Sequence, residues 1–252
     1  MKVLIQGLNR LKLNDTKTEC VLFYGKGCKP ANVEIRMGDS VIKTSSSTRD
    51  LGAYLDCHLS MEREVNETIR AAYFHLRRTA KIRSHLTKSA STRAIIATVI
   101  SRIDYHNGLL AGVPEKLTRR LQLLQNNAAR LITQTPSRSH ITPVLCSLHW
   151  LPVKHKISYK VLLHVHKSLY TISAPVYLKS CVRNYEQSRV LRSQSRNLLC
   201  VPKTNKRYGD TAFGSFGPRL WNTLPQNLRT IQNLDVFKKE LKTHLFKDFY
   251  QV

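Results

Sequence analysis

The sequence predicts an α+β chain in which a small antiparallel sheet at the amino end precedes a mostly α-helical remainder. Two observations lead to this prediction. Residues 1–57 contain short β-prone runs separated by glycine and aspartate, which is typical of strands and turns. From Leu59 onward, apolar residues recur at steps of three and four, the spacing of one face of an α-helix. The 252 residues suffice for one large domain or two small ones with a hydrophobic core.

Three β-prone runs, at 20–24, 33–37 and 41–44, predict the first strands of the sheet. The pair Gly38-Asp39 between the second and third runs favours a hairpin. Residues 51–55, Leu-Gly-Ala-Tyr-Leu, predict a further strand. A sheet of this size is expected to be too small to be stable alone.

Three consecutive amphipathic helices are predicted next, and together they can form a bundle. The first starts near Ser60, which can cap it, and buries Met61, Val65, Ile69, Ala72 and Leu76. The second follows Thr87 or Ser89, with Ile95, Ile96, Val99, Ile100 and Ile103 facing inward. The third begins at Pro114, a favoured first helical position, and buries Leu117, Leu121, Leu124, Ala128 and Leu131.

The last third of the chain alternates between helical and irregular patterns. A helix after Pro152 has an apolar stripe formed by Val153, Ile157, Val161, Val165 and Leu169. Residues 184–209 are polar and Arg-rich and are interpreted as a mobile basic connector, and 209–228 as a folded irregular segment. Asp235 is expected to cap a final helix that buries Phe237, Leu241, Leu245 and Phe249. The predicted organisation has five segments, 1–57, 58–135, 136–183, 184–209 and 210–252.

The charge of the chain is strongly one-sided. Its 41 lysines and arginines exceed 16 aspartates and glutamates, giving a formal charge of +25. Between Glu115 and Glu186 there is no carboxylate, although eleven lysines and arginines fall there. Solvated faces normally interleave both signs, so this stretch favours a surface that binds a polyanion, with nucleic acid the first expectation and an anionic membrane surface the second.

Two helices place basic residues in a stripe beside their apolar stripe. The third helix has Lys116, Arg120, Asn127, Arg130 and Gln134 in this position, and the helix after Pro152 has Lys156, Lys160, His164 and Lys167. Long basic side chains at this spacing can reach phosphates along a nucleic-acid backbone. A solubilising face is the alternative for each helix. The predicted nucleic-acid-binding residues of these two helices are Lys116, Arg119, Arg120, Arg130, Lys156, Lys160 and Lys167.

Other classes of function find little support in the sequence. The six cysteines contain no CxxC pair, and Cys146 with His149 lacks the further ligands of a zinc site, so no metal is expected and free cysteines inside a cell are the simpler reading. No apolar run is long enough to span a bilayer, and residues 1–7 do not form a secretory signal. We expect an intracellular protein, nuclear or cytoplasmic, without a membrane partner. No pattern indicates a hydrolase or an oligomeric state.

Seven short motifs occur in one order along the chain. They are NRLKLN at 9–14 followed by KTE at 17–19, LGAYLD at 51–56, SRIDYHN at 101–107, QLLQNNAARL at 122–131, HWLPV at 149–153, LWNTLP at 220–225, and FKK with LKTHLF between 237 and 246. In this order they resemble the region after the catalytic motif of non-LTR (LINE-type) retrotransposon reverse transcriptases, most of all the Jockey-like superfamily. His106 stands where that family usually has a cysteine.

The resemblance implies roles for several segments. Residues 1–57 correspond to the end of the palm and the primer-grip strand, with Leu51, Gly52 and Tyr54 in the grip, and 58–135 to the thumb, followed by a helical connection region. Lys17 stands where the family has a lysine near the phosphates of the incoming nucleotide, although an ordinary turn lysine is the alternative. The thumb helices are implied to follow RNA or DNA by contacts to phosphates and 2′-hydroxyls, without reading sequence.

The same resemblance implies that polymerase activity is absent from this chain alone. The family holds two metal ions with palm carboxylates that include an adjacent aspartate pair, and this sequence has no two adjacent aspartates. That motif is expected upstream of Met1, so the Mg²⁺ ions belong to the missing palm and no cofactor is expected here. The expected partners are RNA, DNA or both. An active polymerase known only in part, and an inert or recruited partner-binding scaffold, are the alternatives.

Overall fold

The computed structural model describes residues 18–25, 27–28, 33–37, 40–185 and 197–251. The chain divides into two compact units, a strand unit, Met1–Asn66, and a helical unit, Glu67–Val252. The motif at 9–14, Lys17 and the predicted turn residues Gly38 and Asp39 lie outside the described residues.

The described residues of the strand unit form two small sheets. Its strands are β1 (Cys20–Val21), β2 (Glu34–Met37), β3 (Ser40–Ser45), β4 (Ser47–Asp50) and β5 (Ala53–Asp56). β2 pairs antiparallel with β3, from Met37 opposite Ser40 to Glu34 opposite Lys43, so the predicted hairpin is confirmed. β1 takes the other edge of β3 and runs parallel to it, which makes this sheet mixed where a purely antiparallel sheet was predicted. β4 and β5 form a separate antiparallel hairpin.

The strand predicted at 51–55 begins only at Ala53, because Leu51 and Gly52 form the turn of the β4–β5 hairpin. Asp50 pairs with Ala53 across this turn. Leu51 and Gly52 have φ angles of 45° and 90°, the positive values of a type I′ turn, whose twist matches that of the flanking strands. Glycine adopts such angles freely and leucine does not. Sequence periodicity missed the turn because it lacks the usual Asn-Gly or Asp-Gly pair.

The helices predicted from apolar periodicity occur in their predicted order, together with further helices that the periodicity did not predict. They are α1 (Glu62–Lys81), which contains the division between the units, α2 (Lys88–Ile95), α3 (Ser101–Asp104), α4 (Glu115–Thr133), α5 (Thr142–Ser147), α6 (Val153–Tyr170), α7 (Val176–Ser180), α8 (Arg207–Thr211), α9 (Phe213–Asn222), α10 (Gln226–Arg229) and α11 (Leu234–Tyr250). The described residues contain no helix long and apolar enough to cross a membrane.

A π-helical turn, Ile96–Ile100, connects α2 to α3 and changes the register of the predicted second helix. The helix starts after Thr87, whose hydroxyl accepts a hydrogen bond from the N–H of Ala90, as predicted. Ile95, Val99, Ile100 and Ile103 are buried, but Ile96 is 43% exposed. A wider turn rotates residues relative to an ideal α-helix, which explains why one of the five predicted inward residues faces solvent.

Helix α11 starts differently from the prediction. Asn233 caps it, because its side-chain oxygen accepts hydrogen bonds from the N–H groups of Asp235 and Val236. Asp235 lies in the first turn instead, where its negative charge interacts favourably with the positive end of the helix dipole. Phe237, Leu241 and Leu245 are buried as expected, whereas Phe249 is 38% exposed.

One hydrophobic core of the helical unit lies between α6, α9 and α11. Trp221, Phe237, Leu162, Val165 and Leu241 are fully or almost fully buried there. Residues 209–228, predicted to be irregular, are largely helical, because packing outweighs the low helix propensity of glycine and proline. A Cβ atom on Gly217 would lie 2.8 Å from Cγ2 of Val165, so glycine permits the close approach of α9 to α6.

The end of α4 and the start of α6 are held by polar side chains. The Arg83 guanidinium donates to the carbonyls of Leu131 and Ile132 in the last turn of α4, at 2.9 and 2.7 Å. The buried Gln125 donates to the Leu151 carbonyl at 3.0 Å, and Gln122 accepts the N–H of Val153 at 2.8 Å. Side-chain amides therefore fix where α6 begins relative to α4.

Candidate nucleic-acid interface

Helix α4 presents four of the predicted basic residues. Lys116 and Arg119 are exposed, whereas Arg120 and Arg130 are partly buried. Arg130 donates from its guanidinium to the carbonyl of Ser139 at 2.9 Å, which fixes its position. On the inward side of the same helix Leu117, Leu121, Leu124 and Ala128 are buried as predicted, whereas Leu131 is only partly buried.

Helix α6 presents a shorter basic surface than its sequence predicts. Lys160 and Lys167 are exposed and seven residues apart, close to two helical turns. His164 lies between them, and its pKa is lowered by partial burial and by the positive charges of Lys160 and Lys167. It is therefore neutral at pH 7 and adds hydrogen-bonding capacity and no charge.

Lys156, the remaining residue of the α6 stripe, forms an ion pair within the helical unit. Its Nζ donates to both carboxylate oxygens of Asp104 at 3.0 Å, and its side chain is only 15% exposed. In the described part of the chain, no ion pair forms at Lys116, Arg119, Lys160 or Lys167. Those four cations are available to a polyanion, while Lys156 already has a partner.

The contacts place the two basic stripes beside different neighbours. Lys156 and Lys160 lie over the segment 104–108, since Lys156 binds Asp104 and the Lys160 side chain approaches Gly108. The flank of α6 that faces α4 carries Lys154 and Ser158 and shares a cleft with Arg119. Arg119 and Lys154 therefore line one cleft, and Lys154 is a basic residue that the stripe pattern of the sequence did not indicate.

A further basic surface on α1 was also missed from the sequence. Phe74 is 56% exposed, and the Arg78 guanidinium lies 5.5 Å from the centre of its ring. The neighbouring His75 accepts a hydrogen-bond contact of 3.1 Å with Arg102, and burial, Arg102 and Arg78 lower its pKa. The signal in the sequence is the group Arg77, Arg78 and Lys81 near the carboxyl end of the first helix, where the helix dipole also favours cations. We call Phe74, His75, Arg78 and Arg102 the α1 aromatic patch.

The β4–β5 hairpin brings together the three residues assigned to the primer grip. Leu51 and Gly52 form its tip, where the Leu51 side chain is 82% exposed. Tyr54 follows on β5, with the guanidinium groups of Arg49 and Arg63 lying 5.4 and 4.8 Å from its ring centre. The N–H of Tyr54 donates to Glu64 at 2.8 Å. The hairpin tip thus combines an exposed apolar residue with an aromatic ring held between cations.

Asp56, the last residue of the LGAYLD motif, has a local role in the strand unit. Its carboxylate accepts hydrogen bonds from the backbone of His58, Ser60 and Met61 and from the Ser60 hydroxyl, at 3.0–3.1 Å. Burial alone would raise the pKa of Asp56, but the hydrogen bonds from Ser60, His58 and Met61 outweigh it and lower the pKa. The charged carboxylate therefore organises the turn that leads into α1.

Cysteine and metal chemistry have no assembled site in the described residues. All six cysteines are free thiols, and no group of three or more His, Cys, Asp or Glu residues in the described ranges is arranged to hold a metal ion. Comparison with protein-family models, with curated proteins and with solved structures finds no match to this chain. A function must therefore be inferred from the motifs and from the geometry of the chain itself.

Proposed function

We propose that this chain is a carboxyl-terminal part of a non-LTR retrotransposon reverse transcriptase, whose helical unit binds RNA or DNA through the phosphate backbone. The observation that carries the proposal is the set of exposed cations on α4 and α6, namely Lys116, Arg119, Lys160 and Lys167, in a stretch without a carboxylate. Phosphate contacts of this kind supply affinity and position and do not distinguish sequences.

The motifs that carry the resemblance support the proposal because they contact one another. Gln122 and Gln125 of QLLQNNAARL hydrogen-bond the backbone of Val153 and Leu151 in HWLPV. Asp104 of SRIDYHN binds Lys156 in the helix that follows HWLPV. These motifs therefore form the internal contacts of a single helical unit, as expected of residues that maintain a shared fold.

The LWNTLP motif also forms internal contacts of the helical unit. The buried Trp221 indole donates to the carbonyl of Asn197 at 3.0 Å. Asn222 accepts the N–H of Leu199 and donates to its carbonyl, both at 2.9 Å, so that its amide imitates a neighbouring strand. Leu199 is 2% exposed, which shows that this part of the predicted basic connector packs against α9.

We do not propose that this chain carries out metal-dependent nucleotide transfer. The two Mg²⁺ ions of a reverse transcriptase need closely spaced carboxylates. The sequence has no adjacent aspartates, and the described residues contain no suitable ligand group. The residues present do not fit the metal pair, so no catalytic step is assigned to them.

Salt-dependent binding to short RNA, DNA and RNA–DNA duplexes tests the proposal. Fluorescence anisotropy between about 50 and about 200 mM salt is expected to give a steep loss of affinity, with a slope of about −0.9 per phosphate neutralised on duplex DNA. Strands of different sequence are expected to bind equally. Affinity that does not change with salt, or that depends strongly on sequence, would refute the proposal.

A matched pair of triple variants locates the surface. The first variant changes Lys116, Lys160 and Lys167 to Gln. It should reduce the salt slope, because each substitution removes one phosphate contact. Lys239, Lys242 and Lys247 of α11 are also exposed, and their change to Gln removes the same charge. Equal losses in both triple variants would mean that net charge and not this surface determines binding.

A second function, that of a partner-binding scaffold, is favoured by one apolar surface. Around α7, Ile172, Val176 and Tyr177 are 95%, 81% and 69% exposed. Large apolar side chains grouped at a surface are typical of protein interaction sites. Sedimentation of the full chain tests this alternative. Concentration-dependent association that Val176→Asp and Tyr177→Ser abolish would support it, and a monomer at all concentrations would count against self-association.

A further inference from the structure

A cleft of about 410 Å³ lies between α4 and α6 in the helical unit. One part of its wall is apolar and comes from Leu110, Ile157 and the aromatic ring of Phe216. Its volume falls within the range of sites that bind small molecules, about 300–1,000 Å³. The cleft therefore has room for one ring system and its substituents, but not for a nucleic-acid duplex.

The charged lining of the cleft comes from Arg119, Lys154 and Glu115. All three are exposed, and no ion pair among the described residues engages Arg119 or Lys154. Two cations and one carboxylate leave the lining with an excess positive charge. An arginine and a lysine that line the same cleft suit a phosphate group, which accepts hydrogen bonds from both.

Some neutral polar side chains of the lining already form hydrogen bonds within the helical unit, and others are accessible to a ligand. The Gln122 side chain makes hydrogen bonds to Gln125, Asn126 and Val153, so it cannot turn toward a ligand without loosening the fold. The Thr118 hydroxyl donates to the carbonyl of Glu115. Ser158 also lines the cleft from α6 and is partly exposed. Because Gln122 is fixed, the shape of this wall is set before any ligand binds.

We propose that this cleft binds one nucleotide of a single-stranded nucleic acid, with the base against Phe216, Ile157 and Leu110 and the phosphate at Arg119 and Lys154. The inference rests on the proposed function and deepens it. A nucleotide joins a flat apolar base to a phosphate anion. The base matches the apolar wall that contains Phe216, and the phosphate matches the two cations of the cleft. Bases of single strands are commonly held by stacking on aromatic side chains beside a basic groove. Glu115 is an acceptor for the hydroxyl or amino groups of the same nucleotide.

A substitution that fills the cleft without changing charge separates it from general electrostatic attraction. Ser158→Phe places a ring in the cleft, and Ser89→Phe makes the same change at an exposed helical serine outside the cleft. Titration calorimetry with AMP, adenosine and inorganic phosphate measures binding to the full chain. AMP should bind at least about tenfold more tightly than either fragment, and Ser158→Phe should weaken AMP at least about tenfold while Ser89→Phe does not.

Arg119→Gln with Lys154→Gln provides a second variant, in case Ser158→Phe does not fold, and it should also weaken AMP at least about tenfold. A single-stranded adenine RNA should displace AMP, whereas the same RNA in a duplex should not, because the paired base cannot enter. Unchanged AMP affinity in both cleft variants, or AMP that the single strand does not displace, overturns the inference.

These outcomes are distinguishable from failure of the proposed function. Salt-dependent duplex binding that survives in Ser158→Phe, together with lost AMP binding, supports a separate nucleotide site. Duplex binding by the wild-type chain without any AMP binding overturns the cleft inference and leaves the proposed function intact. Absence of salt-dependent binding to all strands would refute the proposed function itself.

Discussion

Lys156 and Asp104 form a bidentate ion pair that joins α6 to the end of α3. Both Asp104 carboxylate oxygens lie 3.0 Å from Nζ of Lys156. Since 101–107 is one of the motifs that resemble the thumb, this pair connects that motif to the basic stripe of α6, the helix that begins at the end of HWLPV. Its presence also divides the stripe of α6 into a structural lysine and two exposed lysines.

Lys156 and Lys160 are therefore expected to respond differently to neutralisation. Lys160→Gln should reduce the salt slope of duplex DNA binding by about 0.9, because one phosphate contact is lost. Lys156→Gln should leave the slope unchanged and lower the free energy of unfolding, by about 1 kcal/mol since Asp104 remains partly exposed. Anisotropy at several salt concentrations and urea unfolding measure the two effects. Equal slopes for the two variants would contradict this division.

The α1 aromatic patch predicts a stacking contribution to single-strand binding. Phe74→Leu should weaken binding of single-stranded RNA about fivefold, about 1 kcal/mol, while leaving the salt slope unchanged, because stacking releases no counterions. Phe74→Trp retains a ring and should restore affinity. Arg78→Gln should change the slope instead. If Phe74→Leu binds as tightly as the wild type, this ring does not contact the strand.

The buried Gln125 side chain is predicted to stabilise the helical unit through its hydrogen bond to the Leu151 carbonyl. Gln125→Met keeps the volume but leaves the Leu151 carbonyl without its donor. An unsatisfied buried group costs about 1–3 kcal/mol, so Tm should fall by roughly 4–8 °C for a loss near 2 kcal/mol. The same change at exposed Gln232 is the control. Differential scanning calorimetry measures both variants, and equal Tm values would show that the buried amide contributes nothing.

His166 predicts a loss of stability at acidic pH. Its side chain is fully buried, stacks on Phe237 at 4.1 Å, and contacts the Ile231 carbonyl through Nε2 at 2.8 Å. Burial lowers the pKa of His166, although the hydrogen bond to Ile231 opposes this shift. The folded chain therefore takes up the proton at lower pH than the unfolded chain, whose histidine has a pKa of about 6.5.

The stability that neutral His166 contributes is thus present above about pH 6.5 and is lost as the pH falls below it, by up to about 1.4 kcal/mol per pH unit. His166→Gln keeps a donor for Ile231 but does not titrate, so its stability should depend less on pH in this range. Urea unfolding at several pH values tests this. His140→Gln, at an exposed position outside this core, is the control and should keep the wild-type dependence.

Helix positions were predictable from the sequence because their signals are local. The start of α2 after Thr87 and the buried face of α11 depend on capping and on apolar spacing within one segment. The β2–β3 hairpin likewise follows from β-prone runs next to each other. Predictions failed where a distant contact outweighed local preference, as at Gly217, whose lack of a side chain allows a helix to form against Val165. The five-segment organisation stays a prediction.

By itself, the sequence determined that this chain is basic, lacks an adjacent aspartate pair, and has amphipathic helices whose outer faces carry cations. Charge and periodicity are properties of residue order, so they can be counted without coordinates. Only the tertiary structure decided which cations are available. It paired Lys156 with Asp104, left Lys160 exposed, and made Lys154, Arg119 and Phe216 line one cleft. These relationships join residues far apart in the chain, because the packing of helices, and not their sequence spacing, sets the distances between their side chains.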